Sequence, residues 1–353
     1  MERIDPGHPG QRRAVTAFIS GKTMRTLRHP RRRLLAAGAL IALAGCQTGR
    51  VIGPEAPRGA YPWQAEIFQK GLTQKSLLPG ETSVDFSSHR CGASLIAPDW
   101  VLTAAHCVEV NLQPGQQFGD VFQIAVGIHA LSERDGPDGA RVVYDIKGAP
   151  KIHPGWLGRA VDFKDDVALI QLSRPVPDAA RFQIAPATAL DPSVDLNVTG
   201  FGRHTALGTH IVKVAGFTGA GDMSQVLRVA VLKAAPSAAC TPAYKGKSFP
   251  AGSHLCAAAA ETYGGQAQSD CVGDSGGPLV QYLDGQGWYQ VGIVSYGNTL
   301  AKGICGDKHH PADAFTDLTK PEIARFICAT LPVDAPVGGY CDAYRARSVS
   351  SPR

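Results

Sequence analysis

From residue 51 to about 330, apolar residues come in short runs separated by clusters of turn-forming residues. WQAEIF, ASLIA, WVLTAA, FQIAVGI, RVVYDI, VALIQL, LNVTGFG, VLRVAVL, GPLVQYL and YQVGIVSYG have the length and residue types of strands. This pattern predicts an all-β fold. One segment departs from it: TKPEIARFICATL at 319–331 has Pro321 early and Ile323, Phe326, Ile327 and Leu331 at helical spacing, which predicts a short closing helix. Residues 332–353 read as a loose tail. Segments 69–90 and 203–225 lack a clean period and read as long surface loops, and no 20–50-residue repeat is visible.

Composition agrees with many turns and short strands: 40 glycines, 25 prolines and only 18% charged residues in a 353-residue chain. The formal charge of +5 is unevenly spread. Residues 1–50 hold 10 basic and 2 acidic residues, a balance of +8, while the remainder holds 25 and 28, a balance of −3. The body is therefore not basic, and nucleic-acid binding is not indicated. Basic residues from Arg25 to Arg33 precede the apolar run LLAAGALIALAG at 34–45, which is short for a membrane span and suited to an export signal. It ends in Leu43-Ala44-Gly45-Cys46, which resembles a bacterial lipobox with Cys46 as the lipidated residue; an ordinary secretory signal is the alternative. Met24 is a candidate start, and Arg31-Arg32-Arg33-Leu34-Leu35 resembles a twin-arginine signal.

Nine cysteines support export. Setting Cys46 aside leaves eight, an even number suited to disulfides in an oxidising compartment. No cysteine or histidine spacing matches a zinc site. His309-His310 beside Asp307 and the Glu133, Asp135, Asp138 loop read as solvated polar segments, so no metal and no cofactor are expected.

Three strings carry chemistry. TAAHC at 103–107 presents His106, DDVALIQL at 165–172 presents a carboxylate ahead of an apolar strand, and GDSGGPLV at 273–280 presents Ser275 on a glycine-rich turn. A serine hydroxyl is a poor nucleophile until a base takes its proton, and a carboxylate can hold that base in one tautomer.

With its R-VIGP start, PWQA, SLIAPDWVLTAAHC, DVALIQL, GFG, C-VGDSGGPLV and GIVSYG, the chain resembles trypsin/chymotrypsin-type serine proteases from Val51 to about Leu331. The resemblance implies two antiparallel six-stranded β-barrels, at about 51–176 and 177–318, with a short C-terminal helix and the site in the cleft between them. Residues 1–50 would be signal and activation propeptide, 51–331 the protease domain and 332–353 the tail. His106 would be the general base, Asp166 its orienter, with Asp165 the alternative if the register shifts by one, and Ser275 the nucleophile. The N–H groups of Gly273 and Ser275 would form the oxyanion hole. Cutting between Arg50 and Val51 would free an ammonium group to pair with Asp274, although Pro54 departs from the family's usual glycine. The implied disulfides are Cys91–Cys107, Cys240–Cys256 and Cys271–Cys305, leaving Cys328 and Cys341 to pair with each other or to stay free.

Trypsin-like members carry an acid six residues before the nucleophile, where this chain has Ser269. Its acids fall instead at Asp270 and, on the opposite wall, at Asp313. Either could favour a Lys or Arg side chain, or both could turn away and leave a polar or apolar pocket. Ser295, Tyr296 and Gly297 match the strand that pairs with an extended substrate, with Tyr296 in place of the usual tryptophan. The expectation is a monomeric serine endopeptidase of the cell envelope or the secreted fraction, acting on proteins or peptides. It would be held to the membrane by its lipid before activation and released by the cut. A catalytically silent, protease-fold binding protein is the competing expectation.

Overall fold

The computed structural model describes residues 52–70, 88–134, 142–159, 163–202, 213–214, 217–218, 223–241, 249–297, 305–306 and 312–349. Cys46, Arg50, Val51, Asp135, Asp138, Asp307, His309 and His310 lie outside the described residues, as do most of the two long loops. Among the described residues, no helix is long and apolar enough to cross a membrane.

Seven strands form the first sheet: β1 (Gln64–Gln69), β2 (His89–Ala97), β3 (Trp100–Thr103), β4 (Phe122–Val126), β5 (Val143–Tyr144), β6 (Lys151–Ile152) and β7 (Ala168–Gln171). Their order is β5-β4-β1-β2-β3-β7-β6, and every pairing is antiparallel. Just beyond β5 and β7, a bridge between Ile146 and Leu172 and the bond from Lys147 N–H to Gln171 O at 2.8 Å join the two sides. Six strands thus close into a ring, with β6 as a two-residue seventh on its flank.

The second ring is built from β8 (Ala185–Pro186), β9 (Leu196–Gly200), β12 (Arg228–Ala235), β13 (His254–Ala259), β16 (Pro278–Leu283), β17 (Gly287–Tyr296) and β18 (Ala312–Asp317). Its order is β16-β9-β12-β13-β18-β17-β8, and pairing of β16 with β17 closes six of these strands, while β8 adds a short parallel edge. Two small hairpins lie outside the rings: β10 (Lys213–Val214) with β11 (Phe217–Thr218), and β14 (Thr262–Tyr263) with β15 (Gln266–Ala267). The expected pair of six-stranded barrels is present, each with one extra two-residue strand.

Closure removes open edges and encloses an apolar centre in each ring. Ile67, Leu95, Leu102, Ile124 and Leu169 fill the first, and Leu196, Val198, Leu232, Leu279 and Phe315 fill the second, all fully buried. Four disulfides brace the chain: Cys91–Cys107, Cys240–Cys256, Cys271–Cys305 and Cys328–Cys341. The closing helix runs Pro321–Thr330, with proline in its first turn where no N–H partner is lost.

The tail differs from the loose segment expected. Tyr340–Val349 is helical, Tyr340 is buried, and its hydroxyl donates to Leu318 O at 2.5 Å while Tyr344 donates to Thr319 O at 2.8 Å. The Cys328–Cys341 bond and these two tyrosines supply the apolar anchorage that the Pro, Gly and Arg content hides.

Candidate active site

His106 sits on a one-turn helix, Ala105–Val108, directly after β3, and Asp166 lies two residues before β7. Because β3 and β7 are hydrogen-bonded neighbours, these two side chains meet. His106 Nδ1 is 2.7 Å from Asp166 Oδ2, and the His106 backbone N–H donates to Asp166 Oδ1 at 2.9 Å. Both carboxylate oxygens therefore grip one residue. Asp166 is fully buried and takes a third bond from Ser295 Oγ at 2.6 Å, while its carbonyl accepts Thr316 Oγ1 at 2.8 Å. Burial pushes the Asp166 carboxyl up, but the charge and hydrogen bonds of His106 and the Ser295 bond outweigh it, so its pKa lies below the ordinary range. An ionised Asp166 accepts a hydrogen bond from Nδ1–H, which leaves the Nε2 lone pair to act as a base.

Asp165 takes a different course. It has a left-handed φ of 55°, and its Oδ2 lies 3.7 Å from His153 Nδ1 and 3.6 Å from Lys164 Nζ.

Ser275 occupies the turn before β16, and its carbonyl accepts the Gly92 N–H of β2 at 2.8 Å, tying that turn to the first ring. Ser275 and His106 line one cavity of about 210 Å³, together with Arg159, Phe163, Asp270, Tyr296 and Gly297. Gly273 adopts φ 104°, a backbone conformation that side chains rarely allow, and a Cβ there would also press on Gly202 Cα at 3.1 Å. The N–H groups of Asp274 and Gly276 are engaged by Cys271 O and Val294 O. Those of Gly273 and Ser275 make no backbone hydrogen bond among the described residues. Two donors without a backbone partner, one on either side of Asp274, suit a developing oxyanion.

Asp274 faces away, into the protein. It is fully buried and accepts Gly202 N–H at 2.7 Å and Cys271 N–H at 2.8 Å; a Cβ on Gly202 would stand 2.3 Å from its Oδ2. Burial lifts its carboxyl to about 6, against the pull of those two N–H groups and of His89. Ile52 lies close to this turn, buried against the Cys271–Cys305 bridge, with its N–H donating to Ser269 O at 3.1 Å.

The family model for trypsin matches residues 50–317, well over half of the chain, and that span contains every element of the site just described. The chain belongs to the trypsin family. It is 30% identical to chymotrypsin-like elastase family member 3B of Macaca mulatta over 290 residues, covering 78% of this chain and 95% of that one. The human member 3B is 29% identical over 312 residues, 83% and 98% of the two chains. Chymotrypsin-like elastase family member 1 of Rattus norvegicus is 30% identical over 250 residues, 68% and 82% of the two chains. Membership in this family of trypsin/chymotrypsin-type serine proteases supports serine endopeptidase activity on protein or peptide substrates.

In this trypsin-family chain, the residues expected to contact substrate fall into two groups. Ser269 is an internal residue: its hydroxyl donates to Asp270 O at 2.7 Å and accepts the Gly306 N–H at 3.1 Å. Ser295 lines the cavity but turns its hydroxyl to Asp166. Asp270, Tyr296 and Gly297 line the cavity. Asp313 lies beside them: a Cβ on Gly297 would be 3.0 Å from Asp313 Oδ1 and 3.7 Å from Asp270 Oδ2, so both carboxyls converge on that glycine. Asp270 is 6% exposed and Asp313 5%, and Asp270 Oδ1 has no hydrogen-bond partner. Burial, the Asp313 and Asp274 charges and a hydrogen bond with Asp313 push the Asp270 carboxyl well above its ordinary value. Two carboxyls this close resist ionising together, so the second charge is the harder one to place.

The sequence reading missed Phe163 and Arg159. Phe163, with a left-handed φ of 57°, has its ring 5.7 Å from the His106 ring and 4.7 Å from that of Tyr296, forming an aromatic wall. Arg159 donates through Nη2 to His106 O. Of the acidic loop, Glu133 is bound to Arg58 at 2.6 Å and to the His129 N–H at 3.0 Å. Among the described residues, one group of metal-type ligands is close enough to share an ion, Cys91, His106 and Cys107, and its two sulfurs form a disulfide.

Proposed function

We propose that the chain is a serine endopeptidase working through an acyl-enzyme, with His106, Asp166 and Ser275 as its triad. The observation that carries this reading is the two-point hold of Asp166 on His106 at the wall of the cavity that Ser275 lines. Ser275 Oγ attacks the scissile carbonyl carbon as His106 Nε2 takes its proton, and the N–H groups of Gly273 and Ser275 receive the oxyanion. His106 then gives the proton to the departing amine as the C–N bond breaks. Water, deprotonated by the same nitrogen, releases the acid product and restores the serine. Labelling by a fluorophosphonate probe tests the reading: stoichiometric modification at Ser275 is expected. An inert, folded protein would favour the silent binding role instead.

The substrate preference follows from the acid pair. With no cation of the protein among the contacts described for Asp270, a Lys or Arg side chain of the substrate is its natural partner. The Asp270 carboxyl is raised, so the pocket gains charge as pH rises. Preference for Arg over Ala or Phe chromogenic peptides should therefore grow between acid and mildly alkaline pH. A preference for Phe at all pH values would exclude the acid-pair pocket.

Activation is proposed at Arg50–Val51. Asp274 at about 6, against an ordinary 3.8, carries an ionisation penalty of about 3 kcal/mol that a nearby ammonium would relieve. A raised folded pKa means stability that is complete below the unfolded value and lost as pH rises through about 6. Arg50→Gln should therefore leave a weakly active chain whose Tm falls between pH 4 and 7 more than that of the cut enzyme. Equal activity and equal Tm profiles would refute activation by this cut. Four disulfides accord with an oxidising location. With Cys46 as lipid site, the same cut would release the protease from the envelope membrane, acting as a monomer.

A further inference from the structure

Behind the oxyanion turn lies a set of buried ions that the triad chemistry does not use. Glu66 on β1, His89 at the start of β2 and Arg134 in the 3₁₀ turn Leu131–Arg134 have side chains 0%, 1% and 1% exposed. His89 Nδ1 is 2.8 Å from Glu66 Oε1, and its Nε2 is 2.8 Å from the Gly273 carbonyl oxygen. Arg134 Nη1 donates to the same Glu66 oxygen at 3.2 Å and Nη2 to Ser88 Oγ at 3.0 Å, with the guanidinium 4.5 Å over the Phe68 ring.

The chemistry fixes the protonation state. A backbone carbonyl only accepts, so Nε2 must carry a proton. A carboxylate also only accepts, and Arg134 donates to the same Glu66 oxygen, so Nδ1 carries one too. His89 is therefore an imidazolium. Its pKa is raised above 6.5: burial opposes the charge, but Glu66, the Gly273 carbonyl and Asp274 together overcome it. The groups facing the ring are Glu66 from β1, Arg134 from the 3₁₀ turn, and Gly273 and Asp274 from the nucleophile turn.

Gly273 has no side chain to hold its unusual φ of 104°, so the carbonyl anchor matters. We propose that Glu66, Arg134 and His89 form a positioning ion triad that grips the Gly273 carbonyl and so holds the oxyanion-donor turn in register. None of the three touches substrate; they act through Gly273, and the inference rests on the proposed oxyanion role of that residue. When His89 loses its Nδ1 proton, a bare lone pair faces the Glu66 carboxylate, the two repel, and the grip loosens.

The test compares processed wild-type enzyme with Glu66→Gln. The expected result is a kcat 10- to 100-fold lower with KM within about two-fold, because a misplaced oxyanion donor affects the transition state rather than binding. The alkaline limb of the kcat–pH profile should move to lower pH, and Glu66→Asp should recover part of the loss. Should Glu66→Gln not fold, ¹⁵N ring NMR of the wild-type protein decides: both His89 nitrogens should be protonated at pH 7. A wild-type enzyme that labels at Ser275 but whose Glu66→Gln form keeps kcat and profile, or a singly protonated His89 ring, overturns the inference. Failure of wild-type labelling would instead bring down the protease reading beneath it.

Discussion

Replacing Ser275 by alanine is expected to lower kcat by about 10⁶-fold, the largest effect of any single change in this protein. The substitution removes one oxygen from the cavity wall and leaves intact the Gly92 N–H to Ser275 O bond, which belongs to the backbone. Far-UV circular dichroism, Tm and peptide inhibitor binding should hardly change. Steady-state turnover of a chromogenic peptide, with active-site titration to exclude wild-type contamination, measures the loss. Residual activity within a hundredfold of wild type would mean that another nucleophile performs the reaction and that the assignment is wrong.

Asp166→Asn should cost about 10⁴-fold in kcat, with KM far less affected. The physical reason lies in how completely the carboxylate is used. Oδ1 holds the His106 N–H, and Oδ2 receives both His106 Nδ1–H and Ser295 Oγ–H. An asparagine can keep its oxygen on only one side. With the amide nitrogen turned to the imidazole, Nδ1 must accept, the proton moves to Nε2, and the ring can no longer take the serine proton. Removing Asp166's charge also withdraws the partner that stabilises the imidazolium formed during attack. A variant that retained wild-type kcat at neutral pH would show that His106 finds its tautomer without this carboxylate.

Much of the fold was legible because strand-length runs and turn clusters alternate over nearly 280 residues. Nine of the eleven strands with four or more residues coincide with the apolar runs, and the tenth run falls on the two-residue β5. The exceptions have causes. β13 reads HLCAAA, where alanine supplies little strand preference, so only its neighbours β12 and β18 make it a strand. β1 carries Gln64 and Glu66 at alternate positions that the pattern alone assigns to solvent, yet both are fully buried. Gln64 Oε1 accepts Thr199 Oγ1 of the second ring at 2.7 Å, so the outer face of one ring is an inner face of the molecule. Local periodicity carries no information about which face a second ring will cover.

The site divides in the same way. His106, Asp166 and Ser275 each sit in a distinctive string, and the structure brings His106 against Asp166 and onto one cavity with Ser275. Ser295 reads as a substrate-strand residue, and nothing local announces that its hydroxyl also bonds Asp166. Phe163 and Arg159 belong to a segment without strand or helix pattern, and their roles arise from where the backbone carries them. The Glu66–His89–Arg134 cluster spans 68 residues of chain and joins charges that individually read as surface.

The proposed base His106 and its orienter Asp166 are attached to adjacent strands of one closed ring, whereas the proposed nucleophile Ser275 hangs from the other. Each ring is closed within itself, and the seam between them is crossed by links such as Thr316 to the Asp166 carbonyl and Gly92 to the Ser275 carbonyl. A small slip along that seam would separate hydroxyl from imidazole while leaving both cylinders whole. Loss of turnover in mild chaotropes is therefore expected ahead of the loss of far-UV circular dichroism, and to reverse on dilution.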